Sequence, residues 1–145
     1  MNFESMNYVV KVTRELGVGI PRIILDTSGE HKDSEYCPQT DELIYTKLGA
    51  DGYFQLAHEL RHKWQWVNHQ EEYFANYQEL DTIDLNAYGK QIAEVDANAF
   101  AAIMAMKYLD SILSFPKRSR KEKRKIYDRA KRLSKEDGVN KEDRK

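Results

Sequence analysis

Two histidines and a glutamate lie close together in the string His58-Glu59-Leu60-Arg61-His62. Residues four apart on a helix stand on one face, about one turn from each other. Two imidazoles placed this way can bind one Zn2+ from the same side. Bound zinc lowers the pKa of water toward neutrality, and Glu59 stands where it can take the proton. Zinc catalysis needs a third protein ligand and one open position. His69 does not supply that ligand. A His-Glu-x-x-His-x-x-Gly-x-x-His pattern would put glycine at 65 and histidine at 68, where this chain has Gln65 and Asn68. On a continuous helix His69 would also lie about 10 Å along the axis from His62.

A better source is Glu94-Val95-Asp96-Ala97-Asn98-Ala99-Phe100-Ala101. Glu94 and Asp96 are two apart on a helix and point in different directions, so one of them faces a metal. Glu94, Asn98, Ala101 and Ala105 form one line, a carboxylate and an amide followed by small residues that admit a neighbouring helix. Glu94 is therefore the expected third ligand. Asn98 is expected to hold a ligand histidine by its second ring nitrogen. Asp96 is expected to be structural, paired with a basic side chain.

The His58–His62 string, followed some thirty residues later by Glu-x-x-Ala-Asn-x-Phe-Ala, resembles the short zincin-type metallopeptidases of the ImmA/IrrE group. These occur in bacteria, phages and mobile elements. The resemblance covers residues 36–106. It implies a gluzincin-like hydrolase with His58, His62 and Glu94 as Zn2+ ligands and Glu59 as general base and acid. It also implies an α+β domain and a protein or peptide substrate, in several members a repressor-like regulatory protein. Peptide hydrolysis also benefits from a second oxyanion donor. Tyr88, Tyr77, His69 and His31 are candidates, with Tyr88 preferred because it falls on the expected Glu94 helix about two turns earlier.

These residues need elements to position them. Apolar spacing predicts a helix over 2–16 with Phe3, Met6, Val9, Val10 and Leu16 inward, stopped by Gly17, Gly19 and Pro21. Residues 20–26 and 42–47 read as strands around a polar loop at 27–33. Gly49–Gly52 breaks the chain, with Asp51 as a helix cap. The motif helix follows at 53–69, with Tyr53, Leu56, Ala57, Leu60, Trp64 and Val67 inward. Residues 71–86 read as a short helix and loop. An alanine-rich helix covers 87–109, and Phe115-Pro116 closes that region. The expected architecture is a small antiparallel sheet packed on the active-site helix and the alanine-rich ligand helix. The 43–47 strand is the expected docking edge for an extended substrate. Trp66, off the apolar stripe, is a candidate groove residue, and Cys37 is expected to be a bystander.

The chain has 145 residues, one cysteine and a formal net charge of −1. That length suits one domain. One cysteine excludes an internal disulfide and a multi-cysteine zinc finger. The longest solidly apolar stretch, 99–106, is far short of a membrane span. The first ten residues lack a basic start, so no secretory signal is expected and the setting is cytoplasmic. The small net charge is a cancellation. Residues 1–116 carry net −9 and residues 117–145 carry net +8. The expected organisation is a catalytic domain at 1–116 and a basic helical tail at 117–145, helical over 117–134 and frayed over its last eleven residues. Residues 117–135 make nucleic acid or an acidic protein a candidate partner, and a non-enzymatic, metal-binding regulator is the rival to hydrolysis.

Overall fold

The computed structural model describes residues 2–31, 33–46, 50–79, 83, 85–110 and 120–143. They form a mixed α+β fold, mostly helical, with one three-stranded sheet. Two compact units divide at Ala75 and Asn76.

The first unit opens with helix α1 (Phe3–Leu16). The Asn2 side chain accepts from the Ser5 N–H at 2.8 Å and satisfies one of the open amides of the first turn. Gly17 ends the helix at φ 68, a left-handed conformation that costs glycine little. The buried face is Ser5, Tyr8, Val9, Val12, Thr13 and Leu16, rotated away from the expected stripe. Phe3 is 85% exposed and Met6 is also exposed. Thr13 enters the buried face because its hydroxyl donates to the Val9 carbonyl at 2.9 Å, so its polar atom is satisfied locally.

Strands β1 (Arg22–Leu25), β2 (Glu35–Cys37) and β3 (Glu42–Tyr45) lie in the order β1-β3-β2. β1 and β3 are parallel, which corrects the expected antiparallel sheet. The cause is β2, a three-residue strand between the polar loop at 27–33 and the strand expected from 42. The chain passes from β1 to β2, then returns through a tight turn in which Asp41 takes φ 52. The β2–β3 hairpin is antiparallel, and it inserts β3 between β2 and β1. β3 is thus paired on both sides and is not an edge, so it cannot add a substrate strand. Its Leu43 and Tyr45 are fully buried.

Helix α2 (Ala50–Phe74) packs on α1, β2 and β3. It begins before Asp51, which therefore lies inside it. Leu56, Ala57 and Leu60 are buried as expected, but Val67 is 60% exposed. At His69 the backbone leaves helical geometry (φ −143, ψ 43) and the helix kinks. A straight helix would separate residues 62 and 74 by about 18 Å along its axis. The kink instead brings the Phe74 and His62 rings to 6.2 Å.

The second unit holds α3 (Leu85–Gly89), α4 (Ile92–Leu109) and α5 (Arg120–Asp143). The helix expected over 87–109 is two helices, interrupted at Lys90 and Gln91. Gln91 caps α4 and ties down the preceding segment. Its amide nitrogen donates to the Gln78 carbonyl at 2.9 Å, and its amide oxygen accepts from the Gln78 N–H at 2.7 Å. α5 packs on α4 and buries Glu122, Ile126 and Ala130. Gly89 leaves room for the buried Glu122 carboxylate, with which a Cβ would collide. The charge boundary at 116/117 therefore falls inside the second unit. Phe115-Pro116, Lys117 and Arg118 lie outside the described residues. No described helix is long and apolar enough to cross a membrane.

Candidate metal centre

One side of α2 grips the β2–β3 hairpin. Gln55 Oε1 accepts from the Ser34 N–H at 3.3 Å, and Glu59 Oε1 accepts from the Tyr36 N–H at 2.9 Å. Lys63 Nζ then pairs with Asp41 at 3.0 Å. The first two contacts match in scale, since four helical residues rise about 6 Å and two strand residues span about 6.6 Å. Tyr36 reinforces the third, its phenol donating to Asp41 Oδ1 at 2.8 Å. Burial first, and then the Asp41 hydrogen bond, push the Tyr36 phenol well above its ordinary pKa, so it remains a donor. The stripe at 55, 59 and 63 therefore fixes Glu59 by a backbone amide.

The adjacent stripe carries the histidines. His58 Nε2 and His62 Nε2 face each other at 3.0 Å. A tetrahedral ion with bonds of 2.0–2.1 Å holds its ligand atoms about 3.3 Å apart, so a small outward movement of the rings admits one. Glu59 Oε2 lies 3.7 Å from His58 Nε2, beside the paired nitrogens. His62 Nδ1 is 2.8 Å from Gln65 Oε1. That oxygen accepts, so the His62 proton sits on Nδ1 and the Nε2 lone pair points to His58. Gln65 is fully buried and holds His62 by its second ring nitrogen. Its spacing, three residues after His62 on the same face, is the signal that identifies it.

On α4, Glu94 is 4% exposed and Asn98, one turn later, is also buried. Tyr77 donates to Glu94 Oε2 at 2.8 Å. The Tyr77 and Tyr88 hydroxyl oxygens are also 2.8 Å apart. A phenol has one proton, so with Tyr77 donating to Glu94 the chain runs from Tyr88 to Tyr77 to Glu94. Burial, and then the Glu94 charge, push the Tyr77 phenol far above its ordinary pKa, and it stays protonated. Tyr88, the preferred oxyanion donor, thus stands one hydrogen bond behind Tyr77, on α3 rather than on the Glu94 helix. Asp96 points elsewhere: its Oδ1 accepts from Arg129 Nε at 2.9 Å and lies 2.8 Å from Nη2, the expected basic partner.

His58, His62 and Glu94 form a group that can hold a metal ion, offering one ligand atom each, all within 4.8 Å of one another. Two imidazole nitrogens and one carboxylate oxygen make a three-ligand set that leaves a coordination position open. The other candidates lie elsewhere. His69 sits at the kink with Nδ1 3.3 Å from Glu72. His31 Nδ1 lies 2.8 Å from Asp26 in the loop after β1. Trp66 packs its ring 5.6 Å from Phe74. Cys37 lies on β2, where burial and the neighbouring Glu35 and Glu42 charges raise its thiol pKa.

No family model matches the chain, and neither a curated protein nor a solved structure is significantly similar to it.

Proposed function

We propose that this chain is a zinc-dependent metallopeptidase of the zincin type, similar to the ImmA/IrrE group, acting in the cytoplasm on a protein substrate. The observation that carries the reading is the His58-His62-Glu94 group with Glu59 beside it. His58 and His62 hold the ion through Nε2 and Glu94 through its carboxylate. When bound, zinc supplies Lewis-acid polarisation and lowers the pKa of water. Glu59 takes a proton from water as its oxygen bonds to the peptide carbon. It then gives that proton to the leaving nitrogen as the C–N bond breaks. Gln65 keeps the His62 lone pair on Nε2, and Tyr77 orients Glu94.

A substrate strand would add to β2, since β3 is central. There the Tyr36 N–H would exchange Glu59 for a substrate carbonyl and release the carboxylate for proton transfer. A comparison of wild type with Glu59→Gln on a quenched-fluorescent peptide library tests the function. Both proteins should bind zinc, and wild type alone should cleave in a chelator-sensitive way. Equal cleavage by both would overturn the assignment of Glu59, and cleavage unaffected by zinc removal would overturn the metal mechanism.

A further inference from the structure

Helix α5 sorts its cations between two faces. At 100° per residue, Glu122, Ile126, Arg129, Ala130 and Leu133 fall on one arc. Three of them are buried, and Arg129 is committed to Asp96. The opposite arc carries Arg120, Lys121, Arg124, Lys125, Lys131, Arg132 and Lys135, all exposed. Between residues 120 and 135 one acidic side chain, Asp128, shares that arc. Among the described residues, none of these seven cations forms an ion pair with a carboxylate. They occupy about 22 Å of helix, roughly one positive charge per 3 Å.

We propose that this face is a docking surface for double-stranded nucleic acid, held through the phosphate backbone. Charge complementarity selects the partner. A duplex carries one negative charge per about 1.7 Å of axis, so its charge density is of the same order as that of the helix face. Single strands need aromatic platforms between the cations, and the arc has none, with Tyr127 only at its margin. A membrane surface needs an apolar strip beside the cations, whereas the apolar strip of α5 is turned inward. The cations are already arrayed on a helix, so they meet phosphates without first ordering a coil. Residues 1–116 carry net −9, so the attraction for such a polymer comes from the cations of 117–145. Contact made through phosphates positions the protein on a duplex without choosing a sequence.

Fluorescence anisotropy of full-length protein with a labelled 20-base-pair duplex tests the proposal across 50–200 mM salt. Engagement of five phosphates gives a slope of log K against log salt near −4.5, or about a 500-fold loss over that range. Arg124→Gln with Lys131→Gln should flatten the slope by about 2 and weaken binding, with the helical circular dichroism unchanged. Arg14→Gln on α1 should bind as wild type. Zinc-stripped protein should bind equally well, so the outcome is independent of the peptidase reading. Equal binding by wild type and the double variant would overturn the proposal. So would a preference for anionic vesicles or a poly-glutamate peptide over the duplex at equal charge concentration.

Discussion

Tyr77→Phe removes one oxygen atom and leaves the ring. In the native protein that oxygen donates to Glu94 Oε2 at 2.8 Å, and the carboxylate is 4% exposed. The phenol is held protonated by burial and by the Glu94 charge, so it stays a neutral donor to the carboxylate. Such a bond contributes about 1.5–3 kcal/mol. Every 1.4 kcal/mol is tenfold in an equilibrium constant, so if the loss falls wholly on metal binding the zinc affinity drops about 10–150-fold. Loss of an outer partner of a metal ligand generally costs 10–100-fold, which agrees. The affinity is read by competition against a chromophoric zinc chelator at pH 7.5, with circular dichroism to verify folding. Tyr88→Phe, one hydrogen bond further back, should cost less than Tyr77→Phe. A folded Tyr77→Phe protein with zinc affinity within twofold of wild type would refute the reasoning. If catalytic turnover fell while zinc affinity stayed at the wild-type value, Tyr77 would be an oxyanion donor instead.

Gln65→Leu removes the acceptor for His62 Nδ1 and frees the ring to rotate and change tautomer, so zinc affinity should fall about 10–100-fold while the fold persists. Chelator competition measures it, and affinity at the wild-type value would remove Gln65 from the site. Asp96→Ala should retain zinc yet lower stability by about 1.5–3 kcal/mol, because Arg129 loses its charge-assisted hydrogen bonds to that carboxylate. Glu94→Ala should do the reverse, losing zinc with less effect on urea unfolding of the metal-free protein. Cys37 should react slowly with iodoacetamide at pH 8, because its raised pKa keeps the folded thiol protonated where an unfolded cysteine is partly thiolate. The rate should rise on unfolding in urea, and equal rates in the two states would contradict that shift.

Local spacing carried much of the site. The i, i+4 relation placed His58 and His62 together, and the different directions of Glu94 and Asp96 separated the carboxylate of the candidate metal group from the one paired with Arg129. What spacing left open was tertiary. Tyr77 reaches Glu94 because Gln91 clamps Gln78 in the loop before α3, a two-pronged bond that no periodicity encodes. Gln65 was readable from its distance to His62, yet next to a failed glycine pattern it had no apparent role. The parallel β1–β3 pair depends on β2, whose three residues are too few to show alternation beside Pro38. The α1 face was misplaced because two hydroxyl residues, Ser5 and Thr13, entered the core and Phe3 stayed outside. The charge division at 116/117 was real in the sequence, but Ile126, Ala130 and the Arg129–Asp96 pair tie α5 to α4.

Zinc content per chain, measured by elemental analysis after purification without chelators, tests the central claim most directly. The account predicts about one zinc in wild type and in Glu59→Gln. It predicts less than about a tenth of that in His62→Ala and Glu94→Ala proteins that remain folded. Metal-free wild type that takes up no added zinc, or full zinc in Glu94→Ala, would contradict it.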